Sequence, residues 1–302
     1  MKTQISVKGQ QVWVPELRID ETSVVVTGGM IRKAAVRDEE YAEHDAALNA
    51  ERLVAEIGKQ NTGADLFCFQ HRLPDRTPRY SYPMRWDNVA AIPITSYDEW
   101  MKGLSPDTRR NVRLGGKRGV IVREASYDDE FIRGIQSIYS ETSVRHGRPF
   151  WHFGKPFETV KSENGTYLDR STFIGAYYEG ELVGFIKMVT VGSYASIMQI
   201  LGKTAHQDKR CTNAMIGKAV ELCSERGLSH LVYCKYTYHH GYEDQLTEFK
   251  RRNGFRPILL PRYYVPFTAK GRLAIALNIQ SGIHDVLPRR VLATMLRFRS
   301  RY

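Results

Sequence analysis

Several things are scarce in this sequence, and each scarcity excludes something. No apolar run approaches the roughly 20 residues that a bilayer span needs, and the start of the chain carries no apolar stretch of signal-peptide length, so a cytoplasmic protein without a transmembrane segment is expected. The cysteines, Cys68, Cys211, Cys223 and Cys234, form no CxxC pair. That spacing argues against a disulfide scaffold and offers no metal site; reduced thiols are expected, with Cys223 on the buried face of a helix. Proline and glycine gather in no low-complexity tract, and no repeat of solenoid period occurs.

What is present fits a folded globular chain. The 302 residues are 42% hydrophobic and 25% charged, a length at which two compact units are expected. Lysine and arginine exceed aspartate and glutamate by 44 to 33, a formal charge of +11. Such a balance favours an anionic partner: nucleic acid, a nucleotide cofactor, a phosphorylated acceptor or a lipid surface. Charge alone does not choose among them.

Apolar periodicity outlines the elements. The first segment reads as strand, helix, strand: 23–26, a helix face at Leu48, Leu53, Val54 and Ile57, then strands at 66–69 and 89–94. Ser105 and Pro106 predict a helix start, and Arg109, Arg113 and Lys117 fall on one stripe of that helix. Phe131, Ile135, Ile138 and Tyr139 have helical spacing. Two strands, 173–176 and 182–189, flank Glu179-Gly180 as a hairpin; a third follows at 194–201. Thr212 is placed as the cap of a helix running to Arg226 and closed by Gly227. A strand at 231–236, a short helix at 246–252 and a strand at 261–266 complete the pattern, before a tail (287–302) with five arginines and no acidic residue.

The hairpin Phe173-Ile174-Gly175 through Leu182-Val183-Gly184-Phe185, and the closing helix ending Arg252-Asn253-Gly254-Phe255, resemble the GNAT acetyltransferase core. Arg109 to Arg113, Lys117, Gly119, Ile138-Tyr139, Glu141-Thr142, Arg145, Gly147 and the stretches 244–255 and 260–264 resemble its FemAB-like and BioF2-like branch. The resemblance implies an α/β (α+β) fold with a GNAT-like, mixed, mainly antiparallel sheet flanked by helices, and a second, degenerate GNAT-like half. It implies a degenerate half at 1–124, an acyltransferase domain at 125–268 and a basic helical tail at 269–302. It also implies acyl-CoA or aminoacyl-tRNA as donor and no metal. The acceptor class it implies is an amino sugar or a peptidoglycan or exopolysaccharide precursor.

Acyl transfer to an amine requires deprotonation of the amine, stabilisation of an oxyanion and protonation of the leaving group. Glu141 is the first candidate for a base or amine-binding carboxylate, against the plainer reading of a glutamate paired with Arg145. His152 is a second candidate base. Tyr236 and Tyr238 stand where GNAT relatives supply a general acid, and a continuous strand would put both on one face. Arg145 and Arg148 are candidates to clamp an anionic acceptor, beside Trp151 as a stacking wall. Lys187 and Gln199, polar within apolar strands, face either a substrate channel or solvent. Arg109 and Arg113 bind phosphate or lie on a solvated face. The loop from Thr204 to Asn213 has no glycine; Lys209, Arg210, Thr212 and Asn213 are the donor-phosphate candidates there, beside the helix's positive end. The partners implied are an anionic donor or acceptor, tRNA among them, and a peripheral membrane surface. The expected function is N-acyl transfer. The alternative is a non-catalytic GNAT-like module that binds RNA or another anionic polymer.

Overall fold

The computed structural model describes residues 1–7, 10–145, 147–238 and 245–280. The chain opens with four strands, β1 (Lys2–Val7), β2 (Gln10–Ile19), β3 (Thr22–Thr27) and β4 (Lys33–Val36), followed by α1 (Ala50–Lys59), β5 (Leu66–Gln70) and β6 (Met84–Pro93). Two capped helices come next. In α2 (Tyr97–Gly103) the Ser96 hydroxyl accepts from the Glu99 N–H; in α3 (Pro106–Lys117) Ser105 accepts from Thr108, with Pro106 in the first turn as its missing donor allows. Then come β7 (Ile121–Ala125), α4 (Asp129–Tyr139), the short pair β8 (Val144–Arg145) and β9 (Arg148–Pro149), and α5 (Phe157–Asn164). The strands β10 (Ser171–Tyr178), β11 (Glu181–Val191) and β12 (Tyr194–Gly202) lead to α6 (Cys211–Glu225). The chain continues with β13 (His230–Val232), α7 (Gln245–Arg252), β14 (Arg256–Pro266) and α8 (Ala269–Ala276). The tail at 287–302, together with His146, His239 and Asp244, lies outside the described residues.

The chain divides into two compact units. Of the described residues, unit 1 takes those in 1–88, 237–238 and 259–280; unit 2 takes those in 89–236 and 245–258. The expected boundary at 124/125 falls inside unit 2, because α2 and α3 bury Trp100, Met101, Leu104 and Val112 in the same core as α6. The two units repeat one topology. In unit 1, β1 to β4 run antiparallel in order, α1 crosses over, β5 lies parallel to β4, and β14 is antiparallel to β5. In unit 2, β7, β10, β11 and β12 are antiparallel neighbours, α6 crosses over, β13 lies parallel to β12, and β6 is antiparallel to β13. Each unit is thus a mixed, mainly antiparallel sheet with helices on it. The strand that completes each unit comes from the other half of the sequence.

The core of unit 2 has two faces, set by strand alternation. One face, with Ile174, Ala176, Val183, Ile186, Met188 and Ile197, packs under Met215, Ile216, Ala219, Val220 and Cys223 of α6. Helix α3 reaches α6 closely because Gly115 and Gly217 lack side chains; a Cβ at Gly217 would stand 3.0 Å from Val112 Cγ1. The opposite face, with Phe173, Leu182 and Phe185, packs on Phe131, Ile132, Ile135, Ile138 and Tyr139 of α4. Each fully buried aliphatic or aromatic side chain contributes on the order of 1.5–3 kcal/mol. Unit 1 is built around Phe67, Phe69 and Tyr263, with Phe69 stacked on Tyr263 at 5.1 Å and edge-on to Tyr80.

Several expectations need correction. β1, β2 and β4 were absent from the sequence outline, because β1 and β2 mix apolar residues with Lys, Gln, Glu and Arg and the apolar run of β4 is only Ala34-Ala35-Val36. Thr212 is not the cap of α6: Arg210 occupies that position at φ 55°, with no side-chain cap hydrogen bond. β13 ends at Val232 instead of Tyr236, since Cys234 turns left-handed at φ 50°.

Candidate functional site

The feature that sets unit 2 apart is the divergence of β12 from β13. The two strands pair at Tyr194, Ala195 and Ser196, and there the pairing stops. β12 itself continues to Gly202, still paired on its other side with β11. The divergence coincides with a slip in register: Lys187 is opposite Gln199 while Met188 is opposite Ile197, which makes Met198 an extra residue. Such a bulge bends its strand and sharpens the twist, turning one edge away from its neighbour. The Lys203 N–H donates to the Val183 carbonyl. By alternation Leu201 and Gln199 also face β11, and the main-chain groups of Ile200 and Gly202 turn toward the open edge.

A two-residue clamp secures the end of this edge. Arg145 donates from Nη1 to the Gly202 carbonyl at 3.1 Å and from Nη2 to the Ile138 carbonyl at 3.0 Å and to Glu141 at 3.2 Å. The Glu141 carboxylate accepts from the N–H groups of Thr204 and Ala205 at 2.7 and 2.8 Å. Burial would raise the Glu141 carboxyl, but these donors and Arg145 outweigh it and hold the group below the ordinary carboxylate range. Both oxygens are engaged, so Glu141 is a poor proton acceptor here, and Arg145 is committed to the fold.

Behind the edge runs a buried polar chain. The Tyr139 hydroxyl donates to Gln199 Oε1 at 2.8 Å, and Gln199 Nε2 lies 3.2 Å from His152 Nε2. Asn164 Nδ2 donates to the Tyr139 hydroxyl at 3.3 Å. The Asn164 carbonyl accepts from Lys187 Nζ at 2.8 Å, and Lys187 also reaches the Thr166 carbonyl and hydroxyl at 2.6 and 2.8 Å. Lys187 is 1% exposed. Burial pushes its pKa down to about 8 and that of Tyr139 up to about 12. Burial, then Lys155 and Arg145, push His152 down to about 3. His152 is therefore neutral at pH 7 with a ring nitrogen already occupied, and it does not fit the role of a base. Lys187 is buried against the end of α5 and the segment after it, while half-buried Gln199 is held by α4 and by the segment before α5. Sequence reading missed Tyr139, Asn164 and Met198; a hydroxyl-bearing side chain on an otherwise non-polar helix face was the one available signal.

The remaining candidates spread around the edge. Trp151 is 55% exposed and Phe153 48%, on either side of buried His152; Lys155 Nζ sits 4.0 Å over the Trp151 ring while ion-paired to Glu163. Arg148 is exposed on β9. In the loop after β12, Lys209 lies over the Tyr178 ring at 4.4 Å and beside Asp208, and Arg210 is exposed. Thr212 is half-buried in the first turn of α6, and Asn213 is bound to Asn253 at 2.8 Å. Arg109 donates to the Lys102 carbonyl, and Arg113 is exposed. Arg118 binds the carbonyl and carboxylate of Asp208, so the basic face of α3 ends at the loop before α6. Tyr236 is buried in the α6 core, while Tyr238 belongs to unit 1, and the break at Cys234 removes the strand that would have aligned them. Among the described residues no group of three or more His, Cys, Asp or Glu side chains could hold a metal ion, and no helix is long and apolar enough to cross a membrane.

This arrangement, a meander, a crossover helix and a diverging parallel pair, is matched by known proteins. Residues 120–248, which hold the whole open edge, match the family model described as acetyltransferase (GNAT) family. Among solved structures, FemX aligns over 92% of this chain and 90% of its own at TM-score 0.55 and 12% identity. A domain described as the C-terminal domain of a lysylphosphatidylglycerol synthetase from Agrobacterium fabrum aligns over 84% of each chain at TM-score 0.52 and 12% identity. L-PGS from Bacillus licheniformis aligns over 85% and 84% at TM-score 0.51 and 12% identity. No curated protein matches the sequence. The chain has the GNAT fold, and its match to the acetyltransferase (GNAT) family lies in residues 120–248.

Proposed function

We propose that the protein is an N-acyltransferase that moves an activated acyl or aminoacyl group onto an amine, with the open edge of β12 as the place of transfer. The observation that carries this reading is the release of β12 from β13 after Ser196. A donor's amide-bearing arm can lie along that edge as a short added strand, and an N–H there can stabilise the oxyanion as the amine attacks. The amine nitrogen bonds to the carbonyl carbon, the bond to the leaving sulfur or ribose oxygen breaks, and one amine proton ends on that leaving atom. The protein contributes orientation and a fixed dipole; neither Glu141 nor His152 acts as base. The donor's anionic portion points toward Lys209, Arg210 and the first turn of α6, and the acceptor approaches past Arg148, Trp151 and Phe153.

Either acyl-CoA or aminoacyl-tRNA meets these requirements as donor. A cell-envelope acceptor, such as a peptidoglycan or exopolysaccharide precursor, follows from the likeness to FemX and to the lysylphosphatidylglycerol synthetase domain; action in the cytoplasm beside a membrane surface belongs to the same reading. The test is to add CoA, acetyl-CoA and a charged tRNA separately and follow melting temperature, since a ligand at 100 times its Kd stabilises by about 2.7 kcal/mol. A shift with none of the three, and no acyl transfer from either donor, removes the reading. One observation favours a second function, polyanion binding without turnover: Arg109, Arg113 and Lys117 repeat every four residues on α3, about 6 Å apart along its axis. Salt-sensitive RNA binding with no transfer is its expected result.

A further inference from the structure

The residues of β12 beyond Ser196 have a strand on one side only, yet this is the stretch on which an acyl donor would be aligned. Something other than a second strand must hold it. Gln199 is the residue at which the bulged strand regains register with β11, and its side chain is the one in that stretch gripped from both ends, by the Tyr139 hydroxyl at Oε1 and by His152 at Nε2. Tyr139 and His152 are 0% and 6% exposed. A buried polar chain of this kind stabilises little compared with an apolar core of equal volume; what it supplies is a single geometry.

The proton pattern of the chain follows from its donors. Asn164 Nδ2 gives one hydrogen to the Tyr139 oxygen, so Tyr139 gives its own to Gln199 Oε1. The Gln199 amide nitrogen then faces His152 Nε2 at 3.2 Å and the Lys155 ammonium faces Nδ1 at 3.5 Å. A neutral imidazole accepts from one of these donors, and because Lys155 is already bound to both Glu163 oxygens the lone pair is assigned to Nε2 and the proton to Nδ1. The Arg145 guanidinium is the other nearby cation. Tyr139 and Trp151 lie against the ring at 4.2 and 3.5 Å between centroids.

We propose that Gln199 is a positioning residue of the transfer site: its carboxamide, locked between Tyr139 and His152, fixes the bulged open edge of β12 and ties it to the segment that presents Trp151 and Phe153. The claim rests on the transfer reading for what the edge is used for, and on geometry alone for how the edge is held. It assigns no proton transfer to His152. The carboxamide is what the lock requires, because a glutamate would force the imidazole proton onto Nε2 and a leucine would give neither partner a hydrogen bond.

The test is NMR of the intact chain. In the unsubstituted protein His152 should show the Nδ1–H tautomer and no titration between about pH 5 and 8. In Gln199→Glu the imidazole proton should move to Nε2. In Gln199→Leu, hydrogen exchange at the amides of Gln199 and Leu201, which face β11, should rise at least about tenfold, with Ile216 and Val220 of α6 unchanged. A His152 that carries its proton on Nε2 or titrates normally overturns the proposal. So do β12 amides that exchange at the original rate, or only in step with α6. If the leucine variant does not fold, the tautomer and the glutamate variant still decide. Neither readout uses a substrate, so failure of the lock and failure of the transfer reading are seen separately.

Discussion

The two units share a topology and differ in how far one strand outruns its partner. In unit 1 the parallel pair covers three residues of β4, a strand of four. In unit 2 the parallel pair again covers three residues, but β12 has nine. The projecting part of β12 carries a bulge, a clamp at its end and a buried polar chain beneath it; β4 ends one residue past its pairing. The crossover differs as well. In unit 1 it reaches the 10-residue α1 after residues 37–49, whereas in unit 2 it reaches the 15-residue α6 after the shorter loop 203–210. The same chain path therefore gives one sheet that is closed along its length and one that leaves main-chain groups uncommitted. The part of the fold that can hold a substrate is an overhang, and unit 1 has none.

That contrast can be broken or sharpened by substitution. The largest effect is expected in unit 1. Phe69→Ala empties the centre of the aromatic stack and should lower unfolding stability by about 3–5 kcal/mol, while transfer per folded molecule stays unchanged; a matching loss of turnover would make unit 1 part of the site. Next is Ile200→Pro, which removes one N–H directed at the open edge and no ladder bond. It should reduce transfer by roughly 100-fold with only a small change in melting temperature. Near-unchanged turnover would mean that the overhang is not where transfer occurs.

Glu141→Ala should cost about 1–3 kcal/mol, because two main-chain donors and Arg145 lose their acceptor. Its pH dependence has a definite sign. The Glu141 carboxyl is held below its unfolded value, so its contribution is complete above the ordinary glutamate range near pH 4.3 and is lost as pH falls through the depressed value. The alanine variant should therefore lose less stability on acidification than the parent, measured by denaturant unfolding at pH 7 and pH 3. The smallest effect on stability, within about 0.5 kcal/mol, is expected for Arg113→Gln with Lys117→Gln on the exposed face of α3. RNA retention in a filter assay should fall, and its salt dependence should flatten by about one unit per phosphate contact removed. Retention unchanged by the pair would separate α3 from any polyanion.

Much of this architecture was readable in the sequence. The helix over 129–139, the hairpin around Glu179-Gly180 and the crossover helix ending at Gly227 all rest on local signals: apolar period, a turn that needs positive φ, a left-handed C-terminal glycine. β2 did not show because its residues Gln10 to Ile19 mix apolar and polar groups and carry Pro15. The site was harder for a different reason. Gln199 and Lys187 stood out as polar residues in apolar strands, but what they do depends on Tyr139 and Asn164, 60 and 23 positions away along the chain. A bulge at Met198 is a mismatch between two strands, and no single strand records it. Glu141 and Arg145 looked like chemistry because they are charged and clustered; the fold uses those charges to hold a loop.

The exchange of closing strands between the two halves has a consequence for how the protein is made. When the ribosome has released the first 88 residues, the sheet of unit 1 still lacks β14, which is encoded some 170 positions later. Until β14 has been made, β5 presents a bare edge of Leu66, Phe67, Cys68 and Phe69, the kind of edge that chaperones cover and that aggregating chains seize. Truncation before residue 256 should therefore yield not a shorter enzyme but an insoluble one.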